Sequence, residues 1–144
     1  MKILLVCNDL DFSLAVTKFL IATGEDNNEN PVSISELLDL SLDDDDQCFN
    51  WVDYPLELSR AYGGLLGNTP LICGGNSFGQ DINECYSLNR ERSKFVTKMS
   101  VKRSSAASIV LNETILWITG GWTGQMYASS EYVRLSGSSP GPDL

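Results

Sequence analysis

The chain contains no histidine. That one absence removes Ser–His and Cys–His nucleophilic pairs together with the commonest zinc ligand. Cysteine is scarce: Cys7, Cys48, Cys73 and Cys85 are the only four, and none stands in C-x-x-C spacing. A zinc knuckle and a thioredoxin-like motif are thereby excluded. Cys73 and Cys85 fall inside apolar strand patterns, where a free thiol packs as a small hydrophobe. A disulfide framework calls for a secretory setting, so buried reduced thiols are expected. Long hydrophobic runs are also missing. Ile3–Cys7 is far too short to span a membrane. With Asn8, Asp9 and Asp11 behind it, this run falls short of a signal-peptide core as well. The expected address is cytoplasmic, with no membrane association. Positive charge is in deficit, 10 basic residues against 19 acidic for a net charge of −9, which opposes binding to phosphate backbones. The basic residues between Arg90 and Arg103 (Arg90, Arg92, Lys94, Lys98, Lys102, Arg103) read as a solvated face of strands and connections, not as a nucleic-acid patch.

What is present is a repeat. At 144 residues and 42% apolar composition, the chain has the means for one folded domain. Three stretches run into glycine after an apolar segment: Phe19–Gly24, Pro70–Gly75 and Leu116–Gly121. Gly24, Gly74 and Gly120 mark a period of 50 and then 46 residues. A second landmark, Glu-x-x-x-Leu, follows at Glu36, Glu84 and Glu131 with spacings of 48 and 47. Two landmarks sharing one period are hard to obtain by chance.

Each copy reads as β throughout. Short apolar strands pair ahead of each glycine: Phe12–Val16 with Phe19–Thr23, Gly63–Leu66 with Pro70–Cys73, and Ala106–Leu111 with Ile115–Thr119. Gly67-Asn68-Thr69 and Asn112-Glu113-Thr114 supply turn formers for the last two hairpins. A polar loop, the Glu-x-x-x-Leu strand and an aromatic outer strand (Phe49–Val52, Lys94–Thr97) complete the unit. Four strands in such a period are one propeller blade. The double glycines Gly74-Gly75 and Gly120-Gly121 allow a sharp exit from the sheet and close backbone approach. Gly24-Glu25 replaces the pair in the first copy, where a looser bend is expected.

On these residues the chain resembles the kelch-repeat family. The third copy, from Arg103-Ser104-Ser105 through Leu116–Gly121 to Glu131–Leu135, is the best match; the second carries Phe95 and the first Trp51 at the position of the family's tryptophan. The resemblance covers about residues 12–135. It implies an all-β, partial kelch-type propeller of two to three four-stranded blades, with the ring not closed by this chain. The implied segments are a flank (1–11), blades over 12–59, 60–102 and 103–135, the last without its outer strand, and a flexible tail (136–144). Members mostly bind proteins through loops at one face of the ring, as ubiquitin-ligase adaptors or actin binders do. A protein partner, no cofactor and no enzymatic activity are the resulting expectations. The alternative is a fragment of a propeller-type enzyme, an oxidase or one acting on sugar acids. An incomplete ring has three explanations: a fragment of a longer product, which is the one favoured; a subunit completed by self-association; or a non-closing stack. A truncated product without independent function is a further alternative.

Other features have simpler explanations. Asp43–Asp46 lacks the ligand spacing and glycine of a calcium loop and reads as a solvated, self-repelling loop. Asn112-Glu113-Thr114 is formally a glycosylation sequon but sits in a tight turn. Gly120-Gly121-Trp122-Thr123-Gly124 neither opens a helix nor precedes Lys-Ser/Thr, so it is no phosphate loop. Trp51 and Trp117 occupy strand positions suited to packing between blades. Trp122 and Tyr127 share the loop after the third glycine pair and are the candidate partner contacts.

Overall fold

A computed structural model describes residues 3–7, 18–42 and 48–142, with side chains from Leu20 onward. They form fourteen strands: β1 (Ile3–Cys7), β2 (Lys18–Glu25), β3 (Pro31–Asp39), β4 (Cys48–Asn50), β5 (Tyr62–Leu66), β6 (Thr69–Cys73), β7 (Asn76–Ser77), β8 (Gln80–Asp81), β9 (Glu84–Leu88), β10 (Ser93–Lys98), β11 (Ala107–Leu111), β12 (Ile115–Thr119), β13 (Ser130–Arg134) and β14 (Gly137–Pro140). Twelve of them build three four-stranded sheets in the orders β1-β2-β3-β4, β5-β6-β9-β10 and β11-β12-β13-β14, while β7 and β8 form a small ribbon of their own. Every neighbouring pair is antiparallel. The fold is all-β, three successive blades with no closure of the ring among the described residues. The blades converge on their first strands, since β5 touches both β1 and β11, and the outer strands β10 and β14 also meet.

Two segment boundaries differ from the sequence reading. Ile3–Cys7 is not a flank but the first strand of the first blade, paired with β2 from Ile3↔Ala22 to Cys7↔Lys18; the expected strand Phe12–Val16 lies outside the described residues. The third blade is not incomplete. Residues 137–140 pair with β13, and the Ser138 hydroxyl donates to the Lys98 carbonyl of the preceding blade at 2.9 Å. Ser, Gly and Pro suggest a tail by composition, but an outer strand needs only its backbone to pair, and proline at its end is tolerated at an edge. The Asp43–Asp46 run lies outside the described residues.

The repeat's registration also differs. Thr23-Gly24 has φ of 56° and 130°, Gly74-Gly75 has 59° and 100°, and Gly120-Gly121 has 68° and 100°. Gly24 is thus the counterpart of Gly75 and Gly121, and Thr23 takes the left-handed position held elsewhere by glycine. The second glycine is sterically required: a Cβ on Gly75 would lie 2.8 Å from the Ser59 carbonyl oxygen, and one on Gly121 2.9 Å from that of Ser104. Sheet register pairs Ile21 with Glu36, Ile72 with Tyr86 and Ile118 with Glu131. Tyr86, not Glu84, is therefore the second blade's equivalent of the two glutamates. Asn50 pairs with Glu36 as Phe95 pairs with Tyr86, so Trp51 falls one residue beyond Phe95's position.

Two apolar clusters hold the blades together. Leu20, Ala22, Tyr54, Leu58, Ala61, Ile72 and Leu88 fill the first junction, with Trp51 and Ile82 packed against them. Tyr62, Leu66, Leu71, Met99, Leu116, Ile118 and Val133 fill the second, together with Cys73 and Cys85. These cysteines are disulfide-bonded, which corrects the expectation of reduced thiols. The register sets them directly opposite one another on β6 and β9, both fully buried. Cys48 is free and exposed.

Candidate functional site

The ten-residue excursion from Gly120 to Ser129 leaves β12 at the glycine pair and returns into β13. Its path is set by backbone bonds. Trp122 and Ser104 exchange N–H···O=C bonds at 2.8 and 2.9 Å, Tyr127 N–H donates to Gly121 O at 3.0 Å, and Thr123 N–H to Gln125 O at 3.1 Å. This loop brings Trp122 and Tyr127 together with Met126, Gly121 and Ser105 around a shallow depression of about 430 Å³. Trp122 is 46% exposed and Met126 87%. Met126 was not singled out from sequence, because a lone methionine in a polar loop carries no pattern. Tyr127 is half-buried, with its ring over the Arg103 guanidinium at 5.8 Å.

Arg103 is the foundation of this arrangement. Its side chain is fully buried, which corrects its placement on a solvated face. Nη1 donates to the carbonyls of Gly120 (3.0 Å) and Ser129 (2.9 Å), the two ends of the loop, and Nη2 to the Ser129 hydroxyl at 3.2 Å. The planar fork of arginine fits this task, since one nitrogen clasps both ends while the other reaches the hydroxyl. Glu131 lies 3.9 Å from Nη2 and is itself 1% exposed. Its carboxylate accepts from Ser100 twice, from the backbone N–H at 2.8 Å and the hydroxyl at 3.0 Å. A buried charge pair supported by hydrogen bonds on both members is an arrangement in which ions are tolerated in an interior. Tyr62 closes the base by donating to Arg103 O at 3.4 Å, and burial holds its phenol well above the ordinary range. A rigidly held loop presenting exposed Trp and Met is chemically a contact surface: aromatic rings and methionine give large apolar area with few partners needed.

The other residues singled out from sequence serve the framework. Gly74, Gly75, Gly120 and Gly121 form the blade exits. Trp51 packs into the first junction, and Arg90 lies over its ring at 5.8 Å. Phe95 is 47% exposed on the outer strand, edge-on to Tyr86 at 5.6 Å, which in turn meets Tyr54 at 5.4 Å. Glu84 binds Lys98 at 3.1 Å and accepts from Tyr86 Oη at 3.0 Å; the Lys98 contact above all holds its carboxyl below the usual range. Gly24 and Glu36 belong to the first blade and lie away from the depression's lining.

No protein-family model matches the chain, and no curated protein resembles it in sequence. Its fold is similar to that of the solved structure of YjhT, with a TM-score of 0.75 at 14% identity. The likeness takes in 96% of this chain and 45% of YjhT, so the chain spans less than half the length of that neighbour. At this identity the fold is what is shared.

Proposed function

We propose that the chain is a protein-interaction module of kelch type that contacts its partner through the Gly120–Ser129 loop of the third blade. The observation that carries this reading is the combination of Trp122 and Met126 exposed at the loop surface with Arg103 tying both ends of the loop from beneath. Preorganisation matters because a loop that is already ordered spends little binding energy on ordering. Exposed aromatic anchors are where binding energy concentrates. The repeat and its glycine pairs support the kelch assignment. The net charge of −9 weighs against nucleic acid as the partner. The buried Cys73–Cys85 bond supports a compartment that forms disulfides in place of the cytoplasm expected from sequence.

The test compares capture by the immobilised wild-type chain with capture by Trp122→Ala/Met126→Ala. Each anchor is expected to contribute about 1–2 kcal/mol, a loss of roughly tenfold in affinity per residue. Far-UV circular dichroism should be unchanged, because both side chains are exposed. Retained capture of the same partner by the double variant would contradict the assignment of the loop.

A further inference from the structure

Asn112-Glu113-Thr114 is the only Asn-x-Ser/Thr triplet in the sequence, and it forms the hairpin turn between β11 and β12. The turn is held by its backbone. Thr114 N–H donates to Leu111 O at 3.2 Å, and Asn112 and Glu113 between them take φ of 48° and 58°. Positive φ at both central positions suits the twist of a tight hairpin, and asparagine enters that region at low cost. The Glu113 carbonyl also accepts from Gly67 N–H at 2.7 Å, which fixes this turn against the β5–β6 turn of the second blade.

Because backbone bonds shape the turn, the side chains are not needed for it. All three residues of the triplet are exposed. Neither the Asn112 carboxamide nor the Thr114 hydroxyl is engaged by another of the described residues. Other asparagines of the loops are committed. Asn76 donates to Asp81 and accepts from Gly79 N–H, Asn83 donates to Met99 O, and Asn89 accepts from the Glu91 and Arg92 N–H groups. Asn112 is thus an accessible carboxamide on a rigid rim, in the sequence context that marks a glycan acceptor. An independent observation bears on the compartment. The Cys73–Cys85 bond is fully buried in the second core cluster. Structural disulfides of this kind form where secretory proteins fold, which is also where Asn-x-Ser/Thr triplets belong to surface loops that receive glycans.

We infer that Asn112 is an N-glycosylation site. In the transfer, Asn112 Nδ2 bonds to the anomeric carbon of the N-acetylglucosamine at the end of a polyprenyl-diphosphate oligosaccharide. The bond from that carbon to the diphosphate oxygen breaks, the lipid diphosphate leaves, and Nδ2 gives up one proton. No electrons are exchanged, and Thr114 completes the triplet that the transferase reads. The glycan stands at the far end of the blade from the Gly120–Ser129 loop. β12 runs from Ile115 beside the turn to Thr119 beside Gly120, which separates the two by about 15 Å. The inference goes beyond the partner reading and does not depend on it, since it draws on the disulfide and the turn and not on the loop.

The test expresses the full 144-residue chain in eukaryotic cells behind a cleavable secretory leader and recovers it from medium and cells alike. Wild type should carry one oligosaccharide, and an N-glycosidase should remove it and leave Asp at position 112. Thr114→Ala should lose the oligosaccharide although Asn112 is retained, while Thr114→Ser should keep it. Circular dichroism should be the same for all, because the triplet is exposed. Trp122→Ala/Met126→Ala should stay glycosylated while losing partner capture, and the deglycosylated wild type should keep its capture, so the two readings fail separately. A recovered wild-type chain with Asn112 unmodified, or an oligosaccharide that persists in Thr114→Ala, would each overturn the assignment.

Discussion

The two blade junctions use the same backbone and opposite chemistry. Leu58 and Arg103 are counterparts: each carbonyl accepts from a blade-exit glycine, Gly24 at 2.8 Å and Gly75 at 3.0 Å. Around Leu58 the junction is apolar, with Ile82, Tyr86 and Tyr54 close by. Around Arg103 the equivalent positions hold Tyr127, Glu131 and Met99. Even the connecting segment follows the change. Ser100 donates its N–H to Glu131, whereas its counterpart Pro55 has no N–H to give. A leucine can fill a junction, but it cannot hold two loop ends by their carbonyls. The second junction accepts the cost of burying charge and in return orders the loop carrying Trp122 and Met126.

Breaking the polar junction has the largest expected effect. Arg103→Leu alone leaves Glu131 charged and buried with the loop carbonyls unpaired, and should destabilise by about 3–5 kcal/mol. Adding Glu131→Tyr, which copies the first junction, should recover most of that loss, because both charges are gone. Urea unfolding of the single and double variants reads this directly. A double variant no more stable than the single would mean that the junctions are not interchangeable.

Next comes the disulfide that stiffens the second blade's face. Cys73→Ala/Cys85→Ser reproduces the first blade's Ala22/Ser35 pair and should cost about 2–4 kcal/mol. The wild type under reducing conditions should fall to a similar urea midpoint. A smaller change is expected at the blade exit of the first copy. Thr23 holds a left-handed φ of 56° with its hydroxyl buried and unpartnered. Thr23→Gly should stabilise by about 1 kcal/mol, the strain relief outweighing lost packing. Loss of stability would show that the threonine's packing matters more. The smallest effect concerns pH. Glu84 has a folded pKa below its reference of 4.5, chiefly through Lys98. Its contribution is therefore present above that reference value and lost as pH falls through the folded pKa. Glu84→Gln should flatten the acid limb of a stability–pH profile slightly and leave it unchanged near neutrality.

How much of this was legible depends on which property a residue expresses locally. The glycine exits and hairpin turns were readable because positive φ selects residue type. Asn112 and Glu113 indeed carry φ of 48° and 58° in the third blade's hairpin turn. Registration within the first copy was not readable, since Thr23 occupies a glycine position and the spacing then favours the wrong alignment. Glu84 misled in the same way, lying two residues before the true equivalent, Tyr86. The burial of Arg103 could not be seen from charge: its partners Gly120, Ser129 and Glu131 are 17 or more residues away and contribute two carbonyls that have no sequence signature. The Cys73–Cys85 bond did have a signal, because the repeat's own register pairs those two positions. Trp122 and Tyr127 were found as members of one loop, though only the structure separates the exposed ring from the one lying over Arg103.

Amide hydrogen exchange across residues 120–129 tests most directly whether Arg103 is what orders the candidate contact loop. Protection of the Gly120, Trp122 and Tyr127 amides should be strong in wild type and fall sharply in Arg103→Leu/Glu131→Tyr, while the equivalent amides of the second blade, Gly74, Asn76 and Ile82, keep theirs. Equal protection of the loop in both proteins would contradict the claim that the buried arginine builds the site.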